Sequence, residues 1–140
     1  MSSLVLLYNS ETWTLTKQME KSLDGTYTRM LRMALNISWE AHMTNVELYG
    51  KLSKVTANIS MRHLRLAGHG VRHPEEITSQ LVLWQPSTGR VNRGRKPTEY
   101  MDLIKRDTGL HNIEEIRTVM LDRTLREDCV ISARAGARQI

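Results

Sequence analysis

Apolar side chains at Met19, Leu23, Tyr27, Met30, Leu31 and Ala34 recur every three or four residues. That spacing gathers them on one face of a helix, with Lys17, Lys21, Arg29 and Arg32 on the other. Thr16 is placed as the N-cap and Glu20 falls in the first turn. Gly25 costs this helix about 1 kcal/mol relative to Ala, so a kink or break is expected there. Residues 2–8 form a short apolar run, Leu-rich with one Val, readable as a buried strand or a helical turn. No second strong strand exists to pair with it, so the chain must build its core mainly from helices.

The following segments extend that reading. Residues 36–43 look like a turn with Trp39 tucked against the core. Thr44 with Glu47 is a capping-box pair, which starts a short helix running to about residue 52. A third helix spans about 56–67, with Ile59 and Leu66 on one side, Arg62 and Arg65 nearby, and Gly68 and Gly70 closing it. Pro74-Glu75-Glu76 opens a segment leading into Leu81-Val82-Leu83-Trp84. Thr98 caps a helix through about 108, with Met101 and Ile104 inward and Gly109 ending it. Asn112 with Glu115 begins a last helix carrying Ile113, Ile116 and Met120 inward, and residues 134–140 fray. The expected fold is mainly α: a small bundle of about five helices, a short orphan N-terminal strand and a basic loop between helices.

That loop is Gly89-Arg90-Val91-Asn92-Arg93-Gly94-Arg95-Lys96-Pro97. It has neither helical periodicity nor alternation, so it is expected to be solvated and flexible. Guanidinium groups on such a loop suit bidentate contacts to phosphate oxygens, and its glycines allow close backbone approach. A charged linker that merely aids solubility has the same composition.

The 140 residues make a single domain with a modest core, lacking Phe and filled by eight Met. Net charge is +5, and its distribution is uneven. Residues 59–98 hold seven Lys/Arg against two Asp/Glu, while the flanking thirds are nearly balanced. One surface should therefore face an acidic partner. Cys129 is the single cysteine, which excludes an intrachain disulfide and fits an intracellular, reducing setting, nuclear or cytoplasmic. Leu4-Val5-Leu6-Leu7 is too short for a signal core or a membrane span, so no membrane partner is expected.

Catalytic signals are weak. The acidic pairs Glu75-Glu76, Glu114-Glu115 and Glu127-Asp128 sit where helix-start charge or a solvated face explains them. No Walker-type phosphate loop occurs. His63, His69 and His73 lack a Cys pair to complete a zinc site, and Gly68, Gly70 and Pro74 argue against one continuous helical face for them. Neither metal nor cofactor is expected. Cys129 has no activating base nearby in sequence and reads as half-buried packing. Trp13, Trp39 and Trp84 read as core residues before base-stacking platforms.

Four strings together carry a resemblance. Tyr8-Asn9-Ser10-Glu11-Thr12-Trp13 resembles the Tyr-Gly-Ser-Glu-x-Trp string that follows the palm in reverse transcriptases of non-LTR (LINE-type) retrotransposons. Met61-Arg62-His63-Leu64-Arg65-Leu66-Ala67-Gly68-His69-Gly70-Val71-Arg72 resembles their Arg-x-Leu-Arg-Trp-x-Gly-His-x-x-Arg string. Arg93-Gly94-Arg95-Lys96-Pro97 with Tyr100 and Asp102 is similar to their Arg-Gly-Arg-Pro-x-x-x-Trp-x-Asp segment, and Asp122-Arg123-Thr124-Leu125-Arg126 to their Asp-Arg-x-x-Trp-Arg. The matches keep the family's order and cover nearly the whole chain.

The resemblance implies the part that follows the palm. Residues 1–13 would end the palm or connection as a strand, and 14–84 would be a thumb-like helical segment. Residues 85–97 would be the basic loop, and 98–140 a C-terminal helical extension. The family's catalytic aspartates lie upstream, so the chain is expected to be a fragment that does not polymerise by itself. Arg62, Arg65, His69 and Arg72 would face a primer–template backbone, with Arg90, Arg93, Arg95 and Lys96 as a mobile clamp. The ligand would be RNA, DNA or their hybrid.

Departures from the pattern matter. Asn9 stands where the family has Gly, which counts if that position needs φ > 0. Leu66 and Tyr100 replace Trp. The Trp expected between Leu125 and Arg126 is absent, which turns all later helical positions by about 100°. An inert remnant of a degraded mobile element, or a co-opted helical protein-interaction module, are the alternatives.

Overall fold

The structure is a computed structural model and describes residues 6–50, 52–82, 84, 94 and 98–136. Among the described residues there are seven full helices: α1 Lys17–Ala34, α2 Asn45–Tyr49, α3 Val55–Arg72, α4 Ile77–Val82, α5 Tyr100–Thr108, α6 Ile113–Leu121 and α7 Arg123–Gly136. Two single 3₁₀ turns, Ser10–Thr12 and Trp39–Ala41, complete it, and the described residues contain no strand. The mainly helical bundle expected from periodicity is what the chain forms, with five of its helices longer than six residues.

The orphan strand is a correction. Residues 1–5 lie outside the described residues, but Leu6 is helical and Leu7 to Asn9 form a turn. A strand without a neighbour leaves its carbonyls unpaired. Here Leu7 O instead accepts from Ser10 N at 3.2 Å and from Arg62 Nη1 at 2.9 Å. Asn9 adopts φ 55°, ψ 22°, so the position where the resembled family carries Gly does take a left-handed backbone.

Helix α3 is the axis on which the others close. It packs against the first 3₁₀ turn and against α1, α4, α5, α6 and α7. Leu64 and Ala67 of α3 join Met101 and Ile104 of α5, Ile116 and Met120 of α6 and Val130 of α7 in the main core. Each large aliphatic side chain buried here contributes about 1.5–3 kcal/mol. A second cluster forms nearer the N-terminal end of α3, from Leu7, Leu15, Val55 and Ile59, with Trp13, Leu23 and Tyr27 against it. Helix α1 has no fully buried residue and only leans on this cluster, held by side-chain bonds. One of those bonds also starts α3: Asp24 accepts from Thr56 N at 3.2 Å and Thr56 Oγ1 at 2.8 Å. The N-terminus of α3 is thus capped across 32 residues, because Lys54 at its N-cap has no side-chain acceptor to offer.

Several boundaries differ from the periodicity reading. Helix α3 does not stop at Gly68 and Gly70 but runs to Arg72. Those glycines mark close approach instead. A Cβ on Gly68 would lie 2.6 Å from Arg126 Cδ, and one on Gly70 would lie 3.3 Å from Ser79 Cα. Helix α1 passes Gly25 without interruption. Trp39 is 79 % exposed rather than tucked into the core, and Trp84 is exposed as well. Helix α2 ends at Tyr49, with Gly50 following at φ 48°.

Helix α5 is capped by Glu99, not Thr98, since Glu99 and Asp102 bond each other's backbone N–H reciprocally. Gly109 at φ 73° closes α5 as expected. The last helical stretch is two helices. Asp122 turns extended after α6, and its Oδ1 accepts from Thr124 N at 2.7 Å and Leu125 N at 3.4 Å to open α7.

Glycine replacement separates the two kinds of glycine. A Cβ at Gly25 meets nothing within 4 Å. Gly25→Ala should therefore raise stability by up to about 1 kcal/mol. Gly68→Ala must displace the boxed-in Arg126 and should lower it by about 1–3 kcal/mol. Urea midpoints of the two variants, moving in opposite directions from wild type, check this.

Candidate nucleic-acid interface

Residues 62, 65, 69 and 72 step by three, four and three, which lines them up along one side of α3. The rest of this helix is buried or half-buried. Of its 18 residues, Arg65 and His69 alone are exposed, and Arg62 and Arg72 are partly so. The strip of α3 that reaches solvent therefore carries four nitrogenous side chains and no carboxylate.

The four are held differently. Arg62 folds toward the N-terminal turn, where Nη1 donates to Leu7 O at 2.9 Å and to Glu11 Oε2 at 3.3 Å. It is a structural tie as much as a surface cation. Arg65 makes no hydrogen bond or ion pair with any described residue and is exposed. His69 lies against His73, ring centroids 4.5 Å apart, and its Nε2 is 3.5 Å from Glu76 Oε2. His73 Nδ1 is 3.4 Å from Glu75 Oε1. Arg72 donates from Nη1 to Met120 O at 3.2 Å, which joins α3 to the last turn of α6. Arg90, Arg93, Arg95 and Lys96 lie outside the described residues.

Among the described residues no three His, Cys, Asp or Glu side chains converge closely enough to hold a metal ion. No helix among them is long and apolar enough to cross a membrane. Cys129 is partly buried, and burial, followed by the Asp128 charge, pushes its thiol above its ordinary value. A thiolate is thereby disfavoured.

The third histidine went inward. His63 is 1 % exposed, between the two core clusters, and its Nε2 lies 3.1 Å from Ser10 O. A carbonyl can only accept, so Nε2 carries the proton and donates. Tyr100 stacks edge-on at 5.2 Å and donates its hydroxyl to Glu11 O at 2.9 Å, locking the ring in place. Burial lowers the His63 pKa, only partly opposed by Asp107 and by the bond to Ser10.

Periodicity missed two arginines beside this strip, Arg126 buried and Arg123 exposed. Helix α7 brings Arg126 across Gly68, and the charge of Arg123 on the same helix acts on Arg72. The signal was present in Gly68 itself, a helix-interior glycine at which a partner must come close. No family model, curated protein or solved structure matches this chain.

His63 generates a pH prediction. Its folded pKa lies below the unfolded value near 6.5, so the unfolded chain binds the proton more readily. Stability should be full above pH about 6.5 and fall as pH drops from there through the folded pKa. In His63→Gln the pH dependence of the urea midpoint over this acidic window should be shallower, even though the variant is less stable at neutral pH.

Proposed function

We propose that this chain grips the phosphate backbone of a nucleic acid, as a thumb-like helical segment of the kind that follows the palm in non-LTR reverse transcriptases. The observation that carries this reading is the solvent strip of α3: a helix otherwise buried or half-buried turns Arg65 and His69 outward, in line with Arg62 and Arg72. Enclosure matters because it orders the helix before any ligand arrives. The cations then sit on a rigid rod, about 15 Å from the first to the last at 1.5 Å per residue. Contacts from such a strip position a polymer without reading its sequence. The basic segment 89–97 adds four further cations to the same middle third of the chain. The role is grip; in the family resembled, the polymerising carboxylates belong to the preceding palm.

A protein-interaction module is the second reading. Trp39, Val46, Ile77 and Trp84 are exposed apolar side chains. An open groove of about 610 Å³ lies over Trp13, Leu15, Met19 and Leu23. Exposed apolar surface of this kind marks interaction sites.

Fluorescence anisotropy of a labelled RNA–DNA hybrid across a salt series tests the proposal. Binding should weaken as salt rises, with a log–log slope of about −0.9 per phosphate contacted. Arg65→Ala, which removes no internal bond, should weaken binding to all sequences alike and flatten the slope by about 1. The combined Arg90/Arg93/Arg95/Lys96→Ala variant should flatten it further. Absence of binding at low salt sinks the proposal and leaves the interaction module, or an inert remnant, as the better account.

A further inference from the structure

Where α7 crosses α3, the space left by the missing Cβ of Gly68 is filled by charge. A Cβ there would stand 3.0 Å from Arg126 Nη1 and 3.2 Å from Arg72 Nη1, so two guanidinium groups converge over one backbone position. Like charges brought close together repel, and more so where protein displaces water. Arg126 is only 9 % exposed. Its Nη2 donates to Glu127 Oε1 at 2.9 Å, but its Nε is buried with no acceptor among the described residues. Arg72 uses Nη1 on the Met120 carbonyl and pairs with no described carboxylate. Arg123, one turn ahead of Arg126, is exposed. Burial first, and then the charges of Arg126 and Arg123, lower the pKa of Arg72. Asp122, next to Arg123 in sequence, has its side-chain Oδ1 engaged in starting α7. Of the three guanidinium groups only Arg126 has a described ion-pair partner, Glu127.

We propose that Arg72, Arg123 and Arg126 form a phosphate-binding subsite at the α3–α7 crossing, occupied by a single backbone phosphate of the nucleic acid. This rests on the reading of the α3 strip: Arg72 is the last residue of that strip, so one strand can lie along Arg65 and His69 and end in the arginine cluster. An anion removes the repulsion that the fold otherwise bears. Guanidinium forks match the oxygen geometry of a phosphodiester, and Arg126 is already held in place by burial, so little side-chain freedom is lost on binding. The subsite therefore differs from Arg65, which is a lone, unconstrained cation. It should take inorganic phosphate as well as a polymer.

Thermal unfolding of the full chain in sodium phosphate, compared with sodium chloride at matched ionic strength, is the first test. Phosphate should raise Tm along a saturating curve. Arg123→Ala changes an exposed residue, so it should leave Tm in chloride unchanged or slightly higher while removing most of the phosphate increment. Arg126→Lys keeps the charge but not the fork, and should also lose it. Equal Tm in both salts overturns the subsite, whatever the hybrid does. The second test is the affinity of Arg123→Ala for the labelled hybrid, expected to fall about tenfold. Phosphate stabilisation with unchanged hybrid affinity overturns the assignment of the occupant. Phosphate stabilisation with no hybrid binding to wild type overturns both that assignment and the wider nucleic-acid reading, whereas hybrid binding with a flat phosphate response overturns the subsite alone.

Discussion

Close approach of two helices to α3 is the constraint from which the rest of the architecture follows. Arg126 of α7 lies where a Gly68 side chain would be, and the Ser79 backbone of α4 lies at Gly70. A larger residue at either position would push its neighbour away and open the core that Ala67 helps fill. Glycine lowers helix propensity by about 1 kcal/mol per position, so α3 carries a local penalty that its packing must offset. With α3 enclosed by its neighbours, the main core and the N-terminal cluster become two ends of one packed axis.

Polar side chains finish what packing begins. Asp24 reaches from α1 to satisfy the start of α3, Arg62 takes up the Leu7 carbonyl, and Tyr100 holds the Glu11 carbonyl beside His63. Arg106 joins α5 to α1 through Glu20 at 2.7 Å. Each of these bonds spans more than 30 residues of chain. They fix the orientation of elements whose apolar faces alone would tolerate sliding, as with α1, which buries no residue fully. The same bonds decide which cations are spent inside the fold. Arg62 and Arg106 are largely committed to internal partners, while Arg65 and Arg123 are not. Positive charge that reaches solvent is therefore selected by structure from a larger sequence supply.

Much of the fold was legible along the chain. Thr16, Thr44 and Asn112 cap the helices they precede, Gly109 closes α5, and Met101, Ile104, Ile116 and Met120 point inward, because each feature depends on neighbours within one or two turns. Reading Gly68 and Gly70 as stop signals failed for a different reason. A glycine in a helix has the same local cost whether it ends the helix or admits a partner, and only the partner tells them apart. Trp39 was misplaced on similar grounds: its size favours burial, but it packs in neither cluster and is exposed. His63, His69 and His73 look equivalent in sequence, and the helix phase sends the first inward while leaving the other two at the surface.

The sequence by itself determined the helical class, most helix starts, the inward set and the concentration of positive charge in the middle third. Those properties are set by local periodicity, capping chemistry and composition, which need no knowledge of distant residues. Tertiary structure alone decided that α3 is the central axis, that Asp24 caps it, and that only Arg65 and His69 emerge from it. It also decided that Arg72 and Arg126 meet over Gly68. Convergence of groups more than 50 residues apart depends on how helices cross, and crossing is fixed by packing between faces that no single segment contains.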